Sequence, residues 1–144
     1  MISLCQFKQG CFGCCGNNYT SEKDVVNTIW KSTGELKLSS SPKEFRDRFP
    51  KELVSSSGLC KNFVKFEDGN FGCGIHPARV GLPDLRIGHC DHDYLCQTMR
   101  TYLSWDDNQK QKFLDWLEKN NLSLYDYSLG MDEGTLLTQF QNEN

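Results

Sequence analysis

Three thiols within five residues, Cys11-Phe12-Gly13-Cys14-Cys15, constrain this chain more than any other stretch. Thiolates ligate Zn²⁺ and iron, and a short glycine-containing loop lets neighbouring sulfurs converge on one centre. The chain also holds Cys60, the run Cys73-Gly-Ile-His76-Pro77, and His89-Cys90-Asp91-His92-Asp93-Tyr-Leu-Cys96, with Cys5 upstream. The pattern predicts a metal-binding set of Cys11, Cys14, Cys15, Cys60, Cys73, Cys90 and Cys96. Cys5 is a further candidate, and so is His76, three residues after Cys73 and just before a proline. His89 and His92 flank Cys90, where a supporting role or plain exposure outweighs ligation. Asp91 and Asp93 read as helix-cap and dipole partners and not as a catalytic base.

Eight cysteines also permit a disulfide framework, which is the competing reading. The vicinal pair Cys14-Cys15 sits awkwardly in frameworks of this size. The first residues lack a basic segment followed by an apolar one, and no apolar run approaches the ~20 residues of a membrane helix. The expectation is therefore a cytoplasmic protein with reduced thiols, where clustered cysteines mean metal more often than disulfides. The 144 residues suit one domain, with 24% charged and 12% aromatic residues arguing against disorder. A net charge of -3 argues against a non-specific nucleic-acid binder.

Helical periodicity marks residues 22–33, 43–54, 92–103 and 108–119, with a last short helix from Asp132 through Phe140. Thr20 or Ser21 caps the first, whose apolar face is Val25, Val26, Ile29 and Trp30; Gly34 is its stop. Pro50 should kink or restart the second. Asp91 is the expected cap of the third, leaving Cys90 just before that helix and Cys96 within it. Residues 63–67 and 70–73 read as a β-hairpin through a type I′ turn at Asp68-Gly69. That register sets Cys73 opposite Val64 and His76 opposite Lys61. On a regular ladder Cys60 and Cys73 would lie about 13 Å apart, too far for one metal. Either the hairpin is irregular or the two cysteines serve different centres. Pro77 to Gly88 reads as an extended loop. The fold class is α+β and mostly α-helical: one small domain, 1–144, built around a cysteine metal cluster with one short β-hairpin. Residues 1–100 form the cysteine-cluster part and 101–144 a helical packing segment without obvious chemistry.

The cysteine order resembles the YkgJ-type family of zinc- or iron-chelating cysteine-cluster proteins. Cys11, Cys14 and Cys15 match the end of its C-x2-C-x2-C-C opening, and Cys60 matches its isolated cysteine. Cys73 with Ile75 matches C-x-I, and Cys90 and Cys96 match the closing pair. The family's first cysteine falls at Lys8, three residues after Cys5; its tyrosine is His76 here, and its R-P is replaced by the longer 77–88 loop. The resemblance covers roughly residues 5–96 and implies metal chelation without implying any reaction.

Three function classes follow: a metal-binding protein of structural or regulatory type that contacts a protein partner, an iron–sulfur or iron redox protein, and a metal-dependent enzyme with an open site near His76 and Cys90. Enzymatic activity stays open, for no Ser-His-Asp order, phosphate loop or paired-glutamate pattern occurs. Seven or eight cysteines exceed the four ligands of one tetrahedral ion, so more than one metal per chain is expected. Adjacent Cys14 and Cys15, if extended, point to opposite sides and so suit different metals.

Overall fold

Ser21 opens helix α1 (Glu22–Leu38) by accepting the Asp24 N–H, with Glu22 and Asp24 in the positive first turn. The computed structural model describes residues 3–49 and 52–144. The helix runs straight through Gly34, around which the space is open, and stops only at Ser39. Its buried face is Val25, Ile29, Ser32 and Thr33; Val26 is exposed and Trp30 is 56% exposed, so the expected four-residue apolar stripe is half right. Thr33 explains the difference. Its Oγ1 donates to the Ile29 carbonyl and accepts the Lys65 N–H at 2.9 Å, so a polar side chain docks the hairpin on the helix.

Helix α2 (Pro42–Asp47) is capped by Ser41 and has proline at its first position, where a missing N–H costs nothing. It ends seven residues before the expected 54. Arg48 is its C-cap and turns its guanidinium back onto the Phe45 carbonyl, the Lys61 carbonyl, Asn62 Oδ1 and Glu35 Oε1. Arg48 thereby ends the helix and ties it to α1 and to the residues after Cys60. The break expected at Pro50 lies outside the described residues.

Strands β1 (Phe63–Lys65) and β2 (Phe71–Cys73) form the antiparallel hairpin, but with Phe63 opposite Cys73 and Lys65 opposite Phe71. This is one residue from the expected register. The Phe66 N–H reaches Asn70 O and the Gly69 N–H reaches Phe66 O, leaving a three-residue loop closed by Gly69 at φ 88°. A two-residue type I′ turn needs positive φ at two successive residues, and only glycine meets it here. Beyond the three paired residues the ladder fails. The Phe63 N–H bonds Cys60 O and the Gly74 N–H bonds Asn62 O, so residues 60–63 curl into a turn and do not extend the strand.

The 77–88 stretch holds one helical turn, α3 (Pro77–Val80), and not only extended loop. Helix α4 (Gln97–Ser104) begins five residues later than expected because Cys96, and not Asp91, is its N-cap. Cys96 therefore sits at the helix start and Cys90 in irregular chain ahead of it. Helix α5 (Asp107–Asn120) is capped by Asp106. Helix α6 (Leu124–Glu133), capped by Ser123, has no counterpart among the sequence expectations, and α7 (Thr135–Glu143) starts later than the helix expected from Asp132. Gly130 permits the tight α6–α7 corner, since a Cβ there would lie 2.6 Å from Leu136 Cγ.

About half of the chain is helical and the hairpin is its sheet among the described residues, an α+β arrangement. The largest core cluster packs Leu4 against α4–α7, centred on Tyr102, Phe113, Leu117, Tyr127, Met131 and Phe140. A second gathers Phe12, Val25, Ile29, Leu59 and Phe63, and a third Phe45, Val64 and Ile75. Among the described residues no helix is long and apolar enough to cross a membrane.

Candidate metal centre

The Cys11–Cys15 loop is held from both sides by its own backbone. Phe12 is fully buried; its N–H donates to Ser128 Oγ at 3.0 Å, and its carbonyl accepts the Cys15 N–H and the Tyr19 hydroxyl. Gly13 lies against α6, where an added Cβ would come within 2.5 Å of the Ser128 carbonyl. On the other side Gly16 bridges to Leu59; with φ 143° and 1.9 Å between a built Cβ and Gly58 O, only glycine fits. The loop is thus a tight turn and not an extended segment. Cys14 and Cys15 therefore do not lie on the extended segment that the sequence suggested.

Backbone ties bring the distant cysteines to this loop. The Cys11 N–H donates to Cys5 O at 3.0 Å, and the Cys60 N–H donates to Cys15 O at 2.7 Å. Cys73 pairs across from Phe63, itself hydrogen-bonded to Cys60, so the turn at 60–63 folds Cys60 back toward Cys73. Of the two alternatives left by the ladder spacing, the irregular hairpin is the one realised. Cys90 is drawn to the same corner through its neighbour His89, whose Nε2 lies 3.0 Å from Asn62 Nδ2. Cys96, like Cys11, packs against the C-terminal core. All eight cysteines are unpaired thiols.

Several sulfurs receive backbone amides. Gly13 N–H points at Cys11 Sγ and Asn62 N–H at Cys60 Sγ, each at 3.4 Å. In both the donor is two residues beyond the cysteine. Met99 N–H reaches Cys96 Sγ at 3.4 Å in the N-cap position. Amide donors favour the thiolate over the thiol, the form a metal needs. Burial opposes them: it pushes Cys11 and Cys60 up to about 12 and Cys73 to about 11, and it raises Cys5, Cys90 and Cys96 as well. The thiol start of α4 does not lower Cys96, because desolvation exceeds the amide contribution. Cys14 alone is lowered, by the hydrogen bond from Cys15, and that same bond, with burial, raises Cys15.

The histidines are engaged elsewhere. His76 caps α3, its Nδ1 accepting the Ala78 N–H at 3.1 Å. His89 bonds Asn62 and packs on Phe49, and His92 Nε2 lies 3.4 Å from Asp93. Side chains that cysteine spacing did not reveal complete the surroundings. Arg86, held by Asp84, favours ionisation of Cys73 and Cys90, and Arg48 does so for Cys60. Asp132 opposes ionisation of Cys14 and Cys96, and Ser128 hydrogen-bonds Cys11. The signal for Ser128 and Asp132 lay in α6, whose mixed Tyr, Ser and Gly composition hides a helix.

The donor set suits a soft metal ion, but its side-chain geometry is not closed. Among the described residues, no three His, Cys, Asp or Glu side chains stand so that they would hold an ion as arranged. Neutral thiols have no attraction that would gather them, and each cysteine has a single χ1 torsion with three staggered wells. Closing a site would ask for deprotonation of the thiols and rearrangement of their side chains. No family model, curated protein or solved structure matches the chain.

Proposed function

We propose that this protein chelates zinc or iron on cysteine thiolates, in a structural or regulatory role. This is the function the resemblance to YkgJ-type proteins also implies. The observation that carries it is the repeated amide-to-sulfur contact at Cys11, Cys60 and Cys96, three cysteines far apart in sequence. A cysteine used only as a small apolar filler has no need of such a donor, whereas a metal-bound thiolate is oriented and stabilised by it. The ligands are Cys11, Cys14, Cys15, Cys60, Cys73, Cys90 and Cys96, with Cys5 joining them through its tie to Cys11. His76 is left to its capping role.

The test is metal analysis of protein purified anaerobically from cells supplied with both zinc and iron. Stoichiometric metal bound by thiolate supports the reading. A brown chromophore assigns iron and the redox role, and colourless protein with zinc the structural one. Fully folded, metal-free protein that binds neither ion when both are added would overturn it.

A further inference from the structure

Resting on the thiolate-chelation reading, we propose that the eight cysteines form two separate four-sulfur centres, divided at the Cys14–Cys15 peptide bond. One comprises Cys5, Cys11, Cys14 and Cys96; the other comprises Cys15, Cys60, Cys73 and Cys90. The division follows the backbone. Cys11 is hydrogen-bonded to Cys5, and Cys11 and Cys96 pack on the same aromatic core of α4–α7. Cys15 is hydrogen-bonded to Cys60 and packs with Phe12, Leu59 and Phe63. Cys73 faces Phe63 across the hairpin, and the Asn62–His89 contact brings Cys90 to that side. Phe12, fully buried between Cys11 and Cys14, anchors the turn from which the two groups diverge.

Four thiolates satisfy one tetrahedral ion, and each group has that number. Backbone amides point at the sulfurs of Cys11 and Cys96 in the first group and of Cys60 in the second. Four thiolates on one divalent ion leave a net negative charge, which Arg48 and Arg86 offset beside the second centre.

The full-length protein, reduced and loaded anaerobically with NMR-active cadmium alone, tests this without any substitution. Two cadmium resonances are expected in the all-sulfur range. One should correlate with the β-protons of Cys5, Cys11, Cys14 and Cys96, the other with those of Cys15, Cys60, Cys73 and Cys90. A single resonance, a mixed set, or Cys14 bridging both ions overturns the two-centre division while leaving thiolate chelation intact. Folded protein that retains no cadmium overturns both.

Substitutions supply a second arm. Cys60→Ser and Cys96→Ser should each reduce bound cadmium from two ions to one. The double variant Cys60→Ser/Cys73→Ser should still hold one, and Cys60→Ser/Cys96→Ser none. A single shared cluster would instead lose all metal on any one substitution. Should a variant fail to fold, the wild-type correlations decide.

Discussion

The C-terminal helices and the cysteine-bearing region solve the problem of stability by different means. In α4–α7 Trp105, Phe113, Trp116 and Phe140 interlock, with Phe113 and Phe140 ring centroids 4.9 Å apart. Helices of eight to fourteen residues surround them, α4, α5 and α6 each opened by a side-chain cap, and the core between them is apolar. The described residues of 39–96 have a six-residue helix, a single helical turn and two strands of three residues. Among the described residues the small Phe45–Val64–Ile75 cluster and part of the Phe12 cluster are buried beneath them. A segment so poor in regular structure recovers little of the entropy lost on ordering it. The C-terminal helices carry an apolar core of their own, whereas the loops would gain most from cross-linking by the proposed metal.

The widest separation between the regions should come from metal removal. Structural zinc can contribute on the order of 10 kcal/mol at neutral pH. After chelation, hydrogen exchange should accelerate through residues 10–75 and 82–96 while protection persists in α5 and α7. Uniform loss across both regions, or an unchanged melt after proven metal removal, would break the comparison.

Alkaline pH should act next, on the metal-free protein. Cys11, Cys60 and Cys73 are held protonated by burial, raised to about 12, about 12 and about 11. Each folded value lies above the unfolded one, so the folded state binds these protons more tightly. That stability is complete below the unfolded thiol value of about 8.5 and is lost as pH climbs through 11 to 12. Denaturation midpoints should fall across this window by the equivalent of several kcal/mol. Saturating metal, which holds the thiolates, should flatten the loss.

Phe113→Ala should cost about 3–5 kcal/mol by opening a cavity among the C-terminal aromatics. Its bound metal per chain should equal that of the wild type. Phe12→Ala, of similar size, should lower both stability and metal content, because Phe12 sets the turn that carries Cys11, Cys14 and Cys15. Equal metal content in the two variants would show that the loop does not depend on its core anchor.

Gly13→Ala probes the seam between the regions. The added methyl meets the Ser128 carbonyl and Asp132 Cβ, which must shift at a cost of about 1–3 kcal/mol. Metal affinity should fall more than α5 protection does. Smallest of all, Ser123→Ala removes the α6 cap and should cost about 1 kcal/mol, read in the thermal midpoint with metal content unchanged.

Caps and helical periodicity made α1, α5 and the α+β class legible, since Ser21, Asp106 and the apolar spacing act within a few residues of themselves. The same local signals failed at α6, whose burial of Tyr127, Ser128 and Met131 is repaid only by distant partners. Reading Asp91 as a cap failed for a related reason: a thiol at Cys96 supplied the acceptor instead. The hairpin was visible, but its register shifted by one, because Gly69 offers positive φ at one position where a type I′ turn needs two.

What the sequence by itself determined is the inventory: eight cysteines, their order, and the locally capped starts of α1, α2 and α5. Only the tertiary structure decided which thiols are neighbours. Cys60 meets Cys15 through a backbone hydrogen bond spanning 45 residues, and Phe12 meets Ser128 across 116. Contacts of that separation depend on the packing of α1, α6 and the hairpin around Phe12. No spacing rule within a motif contains that information.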